Sequence, residues 1–181
     1  MQKKYLILAF VILGAGTFLA LHGSPLPELR AILAPGSDGV VVDAGATARY
    51  ESDRFGYSVE YPSDLKVVIY DEGEDGRTLL FEPLDPAAGR SGFQVFISPF
   101  AQDSLTFEDV RAALPHLSIA EPQVALLGDG TEALIFFTED ARVGRTREAW
   151  FARGGWLYEV STYAERDAWL AGILQTWRFN D

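Results

Sequence analysis

The sequence predicts an α+β fold, in which an antiparallel sheet with a C-terminal meander carries two packed helices. We expect an N-terminal transmembrane helix to precede this domain. Short runs of alternating apolar and polar residues, which are typical of half-buried strands, dominate from residue 49 onward. Two other stretches carry apolar residues at helical spacing. The resulting order of strands, helix, strands and helix is typical of a layered α+β domain.

The first 23 residues have the pattern of a membrane-targeting segment. Lys3 and Lys4 precede 17 uncharged residues at positions 5–21 (YLILAFVILGAGTFLAL). This run is longer than a usual signal-peptide core and lies at the short limit for a membrane-spanning helix. We therefore predict a retained single-pass anchor, with the N-terminus in the cytoplasm and the following domain outside it. Small residues such as Ala20 leave secretion after signal cleavage as the alternative.

Composition limits what the rest of the chain can be. Residues 24–48 are rich in proline, glycine and alanine and are predicted to be a linker, unless residues 40–42 form an early strand. Residues 49–181 are expected to form a single domain. The absence of cysteine excludes disulfides and thiol chemistry. The formal net charge beyond residue 23 is −13, which argues against binding to nucleic acid or to an anionic lipid surface.

The first half of the domain is predicted to consist of strands followed by a helix. Residues 57–61 alternate between apolar and polar side chains, and Pro62 ends that strand. Thr106 and Asp109 resemble a capping box, so a helix should begin there and end before Pro115. Three further strands are expected, of which the first two form a hairpin, at residues 65–70, 78–81 and 92–100.

The second half is predicted to be an antiparallel meander closed by a helix. Gly154 and Gly155 can supply the positive φ of a two-residue hairpin turn, which fixes the pairing of the strands on either side. Phe151 then lies opposite Tyr158. A second hairpin turns at residues 128–130. Apolar residues at helical spacing predict the C-terminal helix; they are Trp169, Leu170, Ile173, Leu174 and Trp177.

Two stretches resemble PsbP-like domains. Residues 55–64 (FGYSVEYPSD) are similar to the opening strand and proline turn of that family, and residues 173–179 (ILQTWRF) are similar to its terminal helix and last strand. Leu65 departs from the pattern, since such domains often carry a tryptophan near this position. The resemblance covers residues 49–181. It implies an α/β/α sandwich with an accessory role outside the cytoplasm, and it carries over no catalytic residue.

Motifs for catalysis or metal binding are few. The chain has no G-x-S-x-G nucleophile elbow, and His116, at a helix end, is interpreted as structural or exposed. Asp71, Asp75 and Glu82 occupy the first, fifth and twelfth places of a calcium-loop pattern. Their flanks are strand-like, so we interpret the segment as a solvated turn and keep these acids as weak metal candidates only. We expect no catalytic residue, no cofactor and no bound metal.

The hairpin at Gly154 places four side chains of interest on one face. Trp150 and Leu157 would form a partner surface together with Glu148 and Glu159 if this face is exposed, and ordinary core if a second layer covers it. The two glutamates are the candidates for carboxylate chemistry, although acids that alternate outward on strands are expected to stay ionised with unshifted pKa values.

Two functions follow as hypotheses. The first is a membrane-anchored extracytoplasmic domain without catalytic activity that binds an unidentified envelope protein or ligand. The second is a small carboxylate-dependent hydrolase of the cell envelope. A concave pocket that contains two convergent acids with raised pKa values would favour the enzyme, whereas a closed sandwich with only a surface groove would favour the binding domain.

Overall fold

The computed structural model describes residues 38–42, 47–71, 73, 76–102 and 104–180, with backbone alone for 38–42 and Asp71. The predicted anchor and most of the predicted linker therefore lie outside the described residues. Within the described part of the chain, no helix is long and apolar enough to cross a membrane.

A small antiparallel sheet holds the N-terminal strands and the chain's last strand in the order β1-β2-β3-β11. Its strands are β1 Asp38–Val42, β2 Thr47–Ser52, β3 Tyr57–Pro62 and β11 Arg178–Phe179. Residues 40–42 therefore belong to a strand, which is the alternative to a linker that the sequence left open. Both β1 and β2 begin before residue 49, the position at which the domain was predicted to start.

A larger sheet has seven antiparallel strands in the order β4-β5-β6-β10-β9-β8-β7. Its members are β4 Leu65–Asp71, β5 Arg77–Pro83, β6 Phe93–Pro99, β7 Ala120–Leu126, β8 Glu132–Asp140, β9 Gly144–Arg153 and β10 Trp156–Tyr163. The predicted hairpins are present. Gly154 and Gly155 have φ angles of 61° and 84°, and Phe151 pairs with Tyr158 as the turn requires.

The described part of the chain also contains two α-helices. Helix α1, Phe107–Ala113, begins with a complete capping box between Thr106 and Asp109. Helix α2, Asp167–Leu174, ends earlier than its apolar pattern predicts. The Glu60 amide donates to the Thr176 hydroxyl at 3.0 Å, and this hydroxyl donates to the Ile173 carbonyl at 2.7 Å, so the chain just beyond the helix is held against β3.

The layers define two faces of the large sheet. The inner face packs against the small sheet and α2, and this core is rich in aromatic residues, with Trp177 stacked on Tyr57 at 4.5 Å. The outer face packs against α1 through Val110 and Leu114. The α+β class is thus confirmed. A second sheet beside α2, which was not predicted, takes the place of a simple helical layer on the inner face.

Candidate functional site

The four side chains singled out from the sequence do lie together on the outer face. Trp150, Glu148 and Leu157 are only 3%, 4% and 8% exposed, and Glu159 is partly buried. Trp150 and Leu157 belong to the cluster that α1 covers. Of the two arrangements expected for this face, the helix layer gives the covered one, and this part of the face is packed as a second core.

Glu148 is held by two threonines, Thr146 of its own strand β9 and Thr138 of the neighbouring strand β8. Thr146 donates to its Oε1 at 2.6 Å, Thr138 lies 3.5 Å from the same oxygen, and the two hydroxyls are 2.8 Å apart. Burial raises the pKa of Glu148 to about 7, outweighing the effect of Thr146, Trp150 and Thr138, which favour the ionised form. The buried Nε1–H of Trp150 makes no hydrogen bond of normal geometry with any residue that the structure describes.

Glu159 lies diagonally across the strand pair from Glu148, because Trp150 pairs with Glu159 and Ser161 pairs with Glu148. Burial and, as the smaller cause, the negative charge of Glu148 together raise the pKa of Glu159 to about 8. The expectation that strand carboxylates keep unshifted pKa values is therefore wrong for this pair. Alternation along a strand indicates which face a side chain occupies but not whether another layer covers that face.

A groove of about 400 Å³ opens beside the acid pair at the end of the sheet where the β9–β10 turn lies. Its floor is apolar and is formed by Leu105, Leu134, Trp150 and Ala152. Its rim is polar and is formed by Gln102, Ser104, Thr131, Glu132, Arg153, Gly154 and Gly155. Neither Glu148 nor Glu159 lines the groove, although Trp150 lies between the groove and Glu148 on β9.

Two exposed apolar residues extend the groove toward the sheet edge. Val124 and Leu126 on β7 are 57% and 56% exposed. They pair with Leu134 and Glu132 of β8, so their side chains share the face of the groove. Sequence reasoning missed this surface, although the predicted hairpin at residues 128–130 already places Val124 opposite Leu134. The sequence did not show that the loop before α1, which contains Gln102, Ser104 and Leu105, also lines the groove.

The remaining candidates lie elsewhere. Glu82 forms an ion pair with Lys66 at 3.1 Å, the side chain of Asp71 is not described, and Asp75 lies outside the described residues. These acids therefore remain only weak candidates for calcium binding. His116 is exposed just beyond α1. No group of three or more His, Asp or Glu side chains among the described residues could hold a metal ion.

Comparison with solved structures finds a similar fold. The solution structure of cyanobacterial PsbP (CyanoP) from Synechocystis sp. PCC 6803 matches with a TM-score of 0.54 and 16% sequence identity. The match covers 80% of this chain and 98% of that chain. Comparison with protein-family models and with curated proteins gives no match. The fold of this chain is therefore PsbP-like, as the resemblance of residues 55–64 and 173–179 implied.

Proposed function

We propose that this protein is an accessory domain without catalytic activity that acts outside the cytoplasm, tethered to a membrane by residues 5–21, and binds another protein of the cell envelope. One observation supports the binding role above others. The groove that is open to solvent has an apolar floor and a polar rim, which is the usual arrangement of a binding site, and the titratable pair lies outside it.

The PsbP-like fold supports the same proposal by analogy only, since a fold does not determine a function. The charge of the chain also agrees with it. A strongly acidic domain stays soluble and favours partners with basic surfaces.

A carboxylate-dependent hydrolase is the second candidate, because Glu148 and Glu159 are neighbours with raised pKa values. A general acid must reach the proton-accepting atom of a substrate, directly or through one water. Glu148 is 4% exposed and bonded to two threonines, and neither acid lines the groove. These contacts favour a structural role for the pair.

The anchor is tested on the full chain expressed with its own N-terminus. We expect it in the membrane fraction after an alkaline wash, with residues beyond 24 accessible to protease only from the outer side. Intact mass should correspond to a chain that retains residues 5–21. A mature chain that begins near residue 21 would replace the anchor with a secreted domain.

The lack of catalysis is tested with ester, glycoside and peptide substrates on the same preparation, for the wild type and for Glu148→Gln and Glu159→Gln. The control is Leu84→Ser at an exposed position, since Leu84 is 61% exposed. We expect no turnover above background for any of the four proteins. Turnover that either glutamine variant abolishes and Leu84→Ser retains would establish the hydrolase.

A further inference from the structure

We infer that the groove and the exposed pair Val124–Leu126 form one docking surface for a partner polypeptide segment that carries apolar side chains next to lysine or arginine. This inference rests on the proposed function and adds the place of binding and the chemistry of the partner.

The surface is continuous along the rows of the sheet. In one row Val124 of β7 lies opposite Leu134 of β8, which lies opposite Trp150 of β9. In the next row Leu126 lies opposite Glu132. Side chains directly opposite each other on one face of an antiparallel pair have Cβ atoms roughly 5 Å apart, so the exposed pair and the groove floor meet without a gap.

Two neighbouring aliphatic side chains, each more than half exposed, stand out on the end strand of the large sheet. Isolated exposed apolar residues are ordinary, but an apolar patch continuous with a groove is typical of an interaction site. The groove volume of about 400 Å³ is small for a cofactor pocket but sufficient for an anchoring side chain surrounded by a polar rim.

The charges select the partner. The rim carries two charged side chains, Glu132 and Arg153. Arg153 donates to the Thr131 hydroxyl at 3.5 Å and lies over the Phe179 ring at 5.3 Å. Glu132 lies opposite Leu126, is exposed, and forms no ion pair with any described residue. The chain as a whole has a formal net charge of −11. A second copy of the chain would therefore meet like charge, whereas a segment with lysine or arginine beside its apolar residues would pair with Glu132 and gain from the overall field.

The first residues of β7, 120–122, restrict where the partner can lie. Glu121 has a positive φ of 51°, the register shifts between Ala120 and Gln123, and Pro122 lacks a backbone donor. Such features protect a sheet edge from strand pairing. The open part of the edge therefore begins at Gln123, next to the groove, which places the partner over residues 123–126.

The test uses the full chain in detergent as the target for selection from a random peptide library displayed on phage. Enriched peptides are synthesised with a fluorescent label, and their Kd is measured by anisotropy against the wild type, Leu126→Ser, Glu132→Lys and the control Leu84→Ser. A synthetic peptide of residues 24–37 and an equilibrium sedimentation run on the unlabelled chain are included, to test the chain's own linker and a second copy as occupants.

We expect enriched peptides to combine apolar residues with lysine or arginine. Leu126→Ser and Glu132→Lys should each weaken binding by about tenfold, and Leu84→Ser by less than about twofold. Replacing the peptide's basic residue with glutamate should restore binding to Glu132→Lys. Melting temperatures of the three exposed-site variants should stay close to the wild type, so loss of binding cannot be attributed to unfolding.

Several results would overturn the inference. One is a selection that enriches acidic peptides or enriches no peptide, and another is a loss of peptide affinity in Leu84→Ser equal to that in Leu126→Ser. The others are tight binding of the peptide of residues 24–37 at Leu126, and self-association that Leu126→Ser abolishes. The anchoring and the lack of catalysis in the proposed function would survive each of them, because membrane retention and the absence of hydrolysis are measured separately.

Discussion

The two faces of the seven-stranded sheet differ in what they bury. The inner face packs stacked rings against the small sheet and α2, with Phe81 on Phe93 at 4.0 Å and Phe151 on Tyr158 at 5.3 Å. The outer face buries Glu148 and two threonines beside α1 and leaves a groove open at its end. Large rings that interlock contribute mainly to stability, whereas buried polar groups and open apolar surface cost stability and are retained where they serve another purpose.

Because the two faces differ, we expect removal of a tryptophan to lower the free energy of unfolding by different amounts on each face. Trp177→Ala should lower the free energy of unfolding by about 3–5 kcal/mol, because the indole is fully buried and contacts Tyr57, Phe151 and Tyr158. Trp150→Ala should cost less, since Trp150 borders the groove and water can enter the space that it leaves. Chemical denaturation of both variants measures the difference. Equal losses would show that the outer face is packed as tightly as the inner one.

The buried acids predict an unusual dependence of stability on pH. Both pKa values are raised above the ordinary 4.5, to about 7 for Glu148 and about 8 for Glu159, so the folded state holds these protons more tightly than the unfolded chain. Their contribution is complete below pH 4.5 and is lost as the pH rises through the folded values. We expect the free energy of unfolding to fall by several kcal/mol between about pH 5 and pH 8.5.

The matched variants are Glu148→Gln and Glu159→Gln, which keep the shape of the side chain and cannot ionise. Each should flatten the profile over that pH range. Measurements above about pH 5 avoid Asp109 and Asp129, whose pKa values are lowered by hydrogen bonds and whose contribution is lost only in acid. A wild-type profile that does not change between about pH 5 and pH 8.5 would mean that water reaches both carboxyl groups.

The sequence could predict those parts of the fold that local rules determine. The glycine pair at 154 and 155 fixed the pairing of Phe151 with Tyr158, and the Thr106–Asp109 capping box marked the start of α1. The small sheet could not be predicted as a whole. Its strand β11 pairs with β3 across more than a hundred residues, and no local pattern contains that partner.

At the candidate site, too, local patterns predicted some features and could not predict others. Alternation placed Glu148, Trp150, Leu157 and Glu159 on one face, as the pairing of β9 and β10 requires. It could not show that α1 covers Trp150 and Leu157, or that Glu148 and Glu159 are buried enough to have raised pKa values. One signal was present, because α1 has an apolar stripe that includes Val110 and Leu114, which needs an apolar surface to pack on. The outer face of the same sheet was available for it.

The hairpin turn assigns residues to the two faces, and its glycine gives the smallest and most local test. Gly154 has a φ of 61°, and a Cβ added there would meet no atom within 4 Å, so Gly154→Ala isolates the backbone cost. That cost should be about 1–2 kcal/mol, because a side chain disfavours the left-handed region. Gly172 in α2 also has open space around it but an ordinary helical backbone, so Gly172→Ala should stabilise the domain by roughly 0.5–1 kcal/mol. Thermal melts of the two variants should therefore shift in opposite directions. If Gly154→Ala raised the melting temperature as Gly172→Ala should, the turn would not hold the register that separates the aromatic face from the acidic one.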